Sequence, residues 1–338
     1  MNRTTGAAIH FGAISIRTIA VAIMVLAFAS SAFSADYLYW AQGANPGSTG
    51  IWRSNIDGSG ASRIIQDPLG NPQYVAVDPL HNQIFWTDNY SRPFSIHRAN
   101  LDGSSDHTIV SGFGGPNSLR APNQVVVDPQ GNNIYWAQGT TGFDILKATT
   151  NGANQVGIYN ANDGGTSIII GLSLDVPDGK LYFTDVPNHL IESINLNGTG
   201  LQTIVQGVGV PYGLSLDVAG GKMYWTDISG GKIMSANLDG SGINTLVTGE
   251  SSPAGITFDG VLNKIFWVDV DNGLIRSANL NGAGAQTVVN TLQGSAQTVV
   301  LGIAVYHQIV PEPSTLALAA FGLLGLAAWG WRRRKLRL

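Results

Sequence analysis

The fold this sequence predicts is all-β, a six-bladed β-propeller. The first reason is an aromatic strand phrase that occurs six times: Tyr37-Leu38-Tyr39-Trp40, Ile84-Phe85-Trp86-Thr87-Asp88, Ile134-Tyr135-Trp136, Leu181-Tyr182-Phe183-Thr184-Asp185, Lys222-Met223-Tyr224-Trp225-Thr226-Asp227 and Ile265-Phe266-Trp267-Val268-Asp269. The second is spacing. Counted from the Trp (Phe183 in the fourth copy), the intervals are 46, 50, 47, 42 and 42 residues, the period of a blade with several short strands. The third is composition: 43 Gly residues and only 12% charged residues, with Val, Ile, Thr and aromatics alternating with Gly, Asn and Asp. Such chains make short strands joined by tight turns.

Within a repeat, an alternating strand ending in Asp comes first: Tyr74–Asp78, Gln124–Asp128, Gly171–Asp175, Gly213–Asp217 and Gly255–Asp259. A turn rich in Pro, Gly and Asn leads into the aromatic strand. A third strand then runs into Asp57-Gly58, Asp102-Gly103, Asn151-Gly152, Asn197-Gly198, Asp239-Gly240 or Asn281-Gly282. Asx-Gly between strand-like runs predicts a hairpin, here with a type I′ turn. A fourth strand, such as Gln202–Val205, completes the blade. The first repeat lacks its Asp-ending strand, while Gly302-Ile303-Ala304-Val305 remains unused at the end. That segment is predicted to be the inner strand of the blade begun by Tyr37–Trp40. The ring then closes on its own termini, leaving no open edge.

The ends carry addresses. Residues 1–34 read as a secretory signal: Arg3 and Arg17 precede the apolar run Thr18–Ala29, and Ala32 and Ser34 stand at −3 and −1 for signal peptidase. The propeller is assigned to residues 35–309. Residues 310–338 hold Pro311-Glu312-Pro313, an apolar run from Leu316 to Trp331, and Arg332-Arg333-Arg334-Lys335-Leu336-Arg337. As a helix the run is about 24 Å long, close to the hydrocarbon thickness of a membrane. The basic cluster sets the C-terminus in the cytoplasm and the body outside.

That tail resembles the PEP-CTERM sorting signal. The resemblance implies a Gram-negative bacterium that makes exopolysaccharide. It also implies processing by exosortase near Pro311-Glu312-Pro313, transient anchoring in the inner membrane, and a final place at the cell surface or in the extracellular matrix. The repeats, over roughly residues 36–306, resemble the YWTD or low-density lipoprotein receptor class B repeat, whose six copies fold as a six-bladed propeller. Tyr224-Trp225-Thr226-Asp227 carries the motif verbatim. Trp40-Ala41-Gln42-Gly43 and Trp136-Ala137-Gln138-Gly139 depart from it, so the blade-to-blade contacts expected of the motif Asp are in doubt there. The chain has no Cys, which excludes disulfides and any cysteine-rich module after the ring.

Chemistry is thinner. Seven of the 18 basic residues lie outside the repeats, leaving 11 against 21 acidic ones once Glu312 is set aside. A body near −10 argues against nucleic acid. No HExxH, phosphate-binding loop or GxSxG occurs, so no catalytic residue, metal or cofactor is assigned. The recurring aromatics and Asp residues read as packing and hydrogen-bonding devices. A ligand is expected where connections between blades and between second and third strands gather. That face carries Gln73, Tyr90, Arg92, Asn123, His189 and Tyr212, beside the long Ser111–Pro122 loop. Protein or exopolysaccharide is the expected partner. The alternatives are a metal-dependent, lactonase-like hydrolase using the channel, for which the body offers only Glu192 and Glu250 as glutamates, and a structural matrix protein without a specific ligand. Both termini are predicted to leave from the opposite face.

Overall fold

A computed structural model of the full chain describes residues 36–43, 48–67, 70–89, 94–113, 121–138, 144–161, 167–291 and 299–308. The predicted signal segment and the sorting tail, with its apolar run, lie outside these residues. Six four-stranded antiparallel sheets account for the strands, and no helix is present among the described residues. Five blades are continuous in sequence, at residues 72–113, 122–159, 169–206, 211–248 and 253–290. The first is assembled from both ends in the order Val299–His307, Asp36–Gly43, Gly50–Asn55, Ser62–Gln66. Tyr37 pairs with Tyr306, Leu38 with Val305, Tyr39 with Ala304 and Trp40 with Ile303. The predicted closure is therefore the observed one. Asp36–His307 form one compact unit.

The cores lie between blades rather than within them. Side chains alternate along the aromatic strand, and here both faces are covered. Met223 and Trp225 pack with Tyr182, Ile191 and Leu214 toward the preceding blade, whereas Tyr224 joins Ile256, Ile265 and Trp267 toward the following one. Trp40, Trp86, Trp136, Phe183, Trp225 and Trp267 are each at most 1% exposed. A strand buried on both faces reads as a nearly continuous apolar run, which is why the phrase is legible. A blade alone leaves two such faces uncovered, so the ring must close.

The Asx-Gly hairpins form where expected but with a different turn. Gly58 has a φ of 86° while Asp57 is absent from the positive-φ residues. Gly58 N–H donates to the Asn55 carbonyl and Asn55 N–H to the Ser59 carbonyl, both at 2.9 Å. This is a type I turn followed by a left-handed glycine bulge, not a type I′ turn. The reason is local. The Asp57 carboxylate accepts from Ser59 N–H at 2.9 Å and Ser59 Oγ at 2.7 Å, holding the aspartate in the ordinary right-handed region. The same Ser59 contacts draw the exposed Asp57 carboxyl below its usual range, as Ser104 does for Asp102 and Ser241 for Asp239. The bulge glycine also lies against the preceding blade. A Cβ on Gly58 would stand 2.0 Å from the Val288 carbonyl oxygen.

Candidate functional site

Inner strands run from one face of the ring to the other, which defines two surfaces. The loop face holds the connections between blades and the turns from second to third strands. The turn face holds the remaining turns, including the Asx-Gly hairpins.

On the loop face the motif Asp organises the connection arriving from the preceding blade. Asp227 Oδ1 accepts from Val210 N–H at 3.0 Å and Gly230 N–H at 2.9 Å. Asp88 accepts from Asn71 N–H at 2.9 Å, and Asp185 from Ser167 Oγ at 2.8 Å and Asn188 Nδ2 at 2.9 Å. The direct bond to the next blade is made by the motif Thr. Thr226 Oγ1 accepts from Gly213 N–H at 2.9 Å and donates to the Ala254 carbonyl at 2.7 Å; Thr184 does the same with Gly171 and Tyr212, each at 2.8 Å. The sequence reading expected blade-to-blade contacts of the motif Asp; in the second, fourth and fifth blades the Asp holds the incoming connection, and in the fourth and fifth the Thr bonds to the next blade. Where Gln replaces Asp, Gln42 Oε1 accepts from Trp40 Nε1 at 3.2 Å. The Asp residues ending the inner strands close turns on the other face, as when Asp78 accepts from Leu80 N–H at 2.9 Å.

Gln73, Asn123 and Tyr212 share one structural position. Each is the second residue of an inner strand, at Pro72–Asp78, Pro122–Asp128 and Pro211–Asp217, so the strands begin two residues earlier than the alternation suggests. The reason is a bulge in each: pairing skips from Pro211 to Leu214, for example. Gln73 is buried, while Asn123 and Tyr212 are half-buried. Asn123 Nδ2 donates to the Ile169 carbonyl of the next blade at 2.8 Å. Next to it, Gln124 exchanges two hydrogen bonds with Leu172, at 3.1 and 3.2 Å.

The glycine of the fourth, fifth, sixth and first blades is Tyr74 in the second. Burial pushes the Tyr74 phenol well above its usual range, and neighbouring Tyr212 adds to the shift. These residues belong to the second and fifth blades, three apart in a ring of six, so the two phenols meet across the central axis. His189, exposed and left-handed at a φ of 58°, donates from Nδ1 to the Gly209 carbonyl. Tyr90 and Arg92, the centre of the Ser111–Pro122 loop, the cleavage residues Ala32 and Ser34, and Pro311, Glu312 and Pro313 lie outside the described residues.

A second set of positions escaped the sequence reading. The residue paired with the motif aromatic on the third strand differs in every blade: Trp52, His97, Leu146, Glu192, Met234 and Arg276. Trp52 stacks on Trp40 (6.2 Å, 15°) and His97 on Trp86 (5.1 Å, 13°). Arg276 and Trp267 Nε1 both donate to Glu250, the indole at 2.8 Å. Trp40 and Trp52 line a crevice of about 350 Å³ between the sixth and first blades. A repeat alignment finds this position only once strand register is known. Burial raises the Glu192 carboxyl, against a 3.3 Å hydrogen bond from Thr203. Glu192 and Glu250 both lie outside the inner strands. No group of three or more His, Asp or Glu placed to hold a metal occurs among the described residues.

Parts of the chain are similar to known proteins. The low-density lipoprotein receptor repeat class B profile matches residues 82–129 and 221–259, and the PEP-CTERM protein-sorting motif matches residues 310–335. The human low-density lipoprotein receptor-related protein 5-like protein is 26% identical over 156 residues, 46% of this chain and 58% of its own length. Vitellogenin receptor Yl of Drosophila melanogaster is 25% identical over 177 residues, 52% of this chain and 8% of the receptor. Protein cueball of Drosophila grimshawi is 34% identical over 100 residues, 29% of this chain and 15% of cueball. The chain thus spans less than two thirds of each of these relatives. A chain in the crystal structure of a nidogen/laminin complex superposes with a TM-score of 0.69 at 21% identity, covering 81% of this chain and 99% of that one, a likeness of fold. The protein is a six-bladed propeller that matches the low-density lipoprotein receptor class B repeat over residues 82–129 and 221–259 and bears a PEP-CTERM sorting motif at residues 310–335.

Proposed function

We infer that this propeller is an exported binding module, anchored through its C-terminal segment until exosortase acts near Pro311-Glu312-Pro313. It then works at the cell surface or in the extracellular matrix. Its loop face engages a protein or exopolysaccharide. The observation that carries the reading is the distribution of irregularity. The turn-face hairpins repeat with little change, whereas on the loop face Gln73, Asn123 and Tyr212 occupy one position with three different polar side chains, flanked by exposed Asn188 and His189. Sites that escape a repeat are where a scaffold carries recognition. The propeller of the same fold in a nidogen/laminin complex favours a protein partner.

The test measures affinity for matrix protein and exopolysaccharide purified from the producing cells. Tyr212→Ala and the double variant Asn188→Ala/His189→Ala should weaken binding about ten-fold, the loss of roughly 1.4 kcal/mol, with thermal stability retained. Ile243→Ser on the turn face should leave it unchanged. Binding that survives the loop-face changes and fails on the turn face would overturn the assignment. Glu312→Ala should leave a longer, membrane-retained form in cells.

A further inference from the structure

The turn face is not uniform. Of the exposed large apolar side chains among the described residues, Leu80, Val156, Leu201, Ile243, Val261 and Leu262 lie on it, and Ile168 on the loop face. The most exposed are Val261 (65%) and Leu80 (56%). They occupy equivalent turns after the inner strands of the sixth and second blades. In the third, fourth and fifth blades that position holds Gln130, Pro177 and Ala219. The apolar pair therefore flanks the first blade, whose own turn is replaced by the two ends of the chain.

The sixth-blade turn is tied to that exit. Asp259 Oδ1 accepts from Val261 N–H at 2.9 Å and Leu262 N–H at 3.0 Å, and His307 Nε2 lies 2.8 Å from the same oxygen. His307 Nδ1 in turn lies 2.9 Å from Asp36 Oδ1. The last strand residue thus joins the turn carrying Val261 to the first strand residue. Tyr37 and Tyr306, paired across the same edge and half-buried, add amphipathic rings of the kind that settle at a membrane surface. Only eight residues, Gln308 to Thr315, separate this edge from the apolar run at Leu316, a reach of at most about 28 Å.

We propose that Leu80, Val261 and Leu262 form a lipid-contacting edge that seats the propeller, tilted onto its second and sixth blades, on the outer surface of the membrane that the C-terminal run crosses. The proposal rests on the anchored state described above and adds to it a defined orientation. Exposed apolar residues on a tethered body gain by partitioning into the interface, because the tether has already met the entropic cost of bringing them there. The consequence is functional. The loop face points away from the lipid while the chain is anchored, and release of the tail frees the propeller from that seat, since three side chains bind weakly by themselves.

The absence of Cys allows a direct test. Single variants Leu80→Cys and Val261→Cys of the full-length chain, with Gln130→Cys and Ala219→Cys in equivalent turns and Asn188→Cys on the loop face, carry a polarity-sensitive fluorophore. They are reconstituted into phosphatidylethanolamine–phosphatidylglycerol vesicles. Labels at 80 and 261 should shift to the blue and be quenched by spin-labelled lipid, and labels at 130, 219 and 188 should not. Flotation of the same samples reads anchoring separately. A chain that does not float removes the anchored state and this proposal with it. A chain that floats with 80 and 261 as water-exposed as 188 overturns the edge alone. Equal quenching at 130 and 219, or a blue shift that tracks protein concentration in place of lipid, also overturns it, the latter assigning the patch to a second copy of the chain.

Discussion

Thr226 Oγ1 stands between two blades, accepting from the Gly213 N–H of its own inner strand and donating at 2.7 Å to the carbonyl of Ala254 in the next. Both groups belong to inner-strand bulges, where the regular ladder leaves them without a partner. Thr226→Val keeps the shape and removes both bonds. It should destabilise the ring by about 1–3 kcal/mol, the cost of a buried polar group left unsatisfied, and Thr226→Ser should recover most of it. Urea denaturation followed by Trp fluorescence measures both. The sixth blade carries Val268 at this position, so Val268→Thr should be neutral or stabilising.

Close approach and backbone conformation make separable demands on glycine. A Cβ on Gly255 would stand 2.1 Å from the Leu301 carbonyl oxygen, whereas Gly249, at a φ of 85°, has open space around it. Gly249→Ala should cost about 1–2 kcal/mol, the penalty of a left-handed residue. Gly255→Ala forces the inner strands of the sixth and first blades apart and should cost more than that. Equal losses for the two variants would show that the inner ring yields easily.

Closure through the first blade makes the C-terminal strand indispensable. A chain ending at Asn290 loses Val299–His307, and with it the partner of Asp36–Gly43 and one wall of the core holding Leu38, Trp40 and Ile303. Circular dichroism and limited proteolysis should report a largely unfolded or aggregating product. His307→Ala, which removes the contacts to Asp36 and Asp259 and keeps the strand, should fold with a lower melting temperature.

Alkaline pH should weaken the ring through its buried phenols. Burial pushes Tyr39 up to about 12, with Arg53 pulling weakly the other way, and raises Tyr74, Tyr182 and Tyr224 as well. A phenol whose folded value is raised contributes its full stability below the unfolded value of about 10, and that stability is lost as pH rises toward the folded value. Urea midpoints should hold up to about pH 10 and fall beyond it. Tyr74→Phe should change the neutral midpoint little and make the alkaline decline shallower.

Several features were legible in the residues alone. The number of blades, their strand order and the closing segment follow from a period, an alternation and one strand left over at the end. Each is a local pattern imposed by burial, and burial leaves its mark on composition whatever the neighbours are. Trp225 had to be apolar because both faces of its strand are covered, and Gly302-Ile303-Ala304-Val305 could be matched to Gly213-Leu214-Ser215-Leu216 without knowing what lay between. The division of labour between Thr226 and Asp227 was not legible. Adjacent residues on a strand point to opposite sides, and only the packed ring shows which reaches a neighbouring blade and which holds a loop. The meeting of Tyr74 with Tyr212, the varied partners of the motif aromatic and the apolar turns beside His307 were hidden for the same reason. They join positions from 9 to 227 residues apart, brought together by strand register within a blade or by ring closure, so no single stretch of sequence carries their signature.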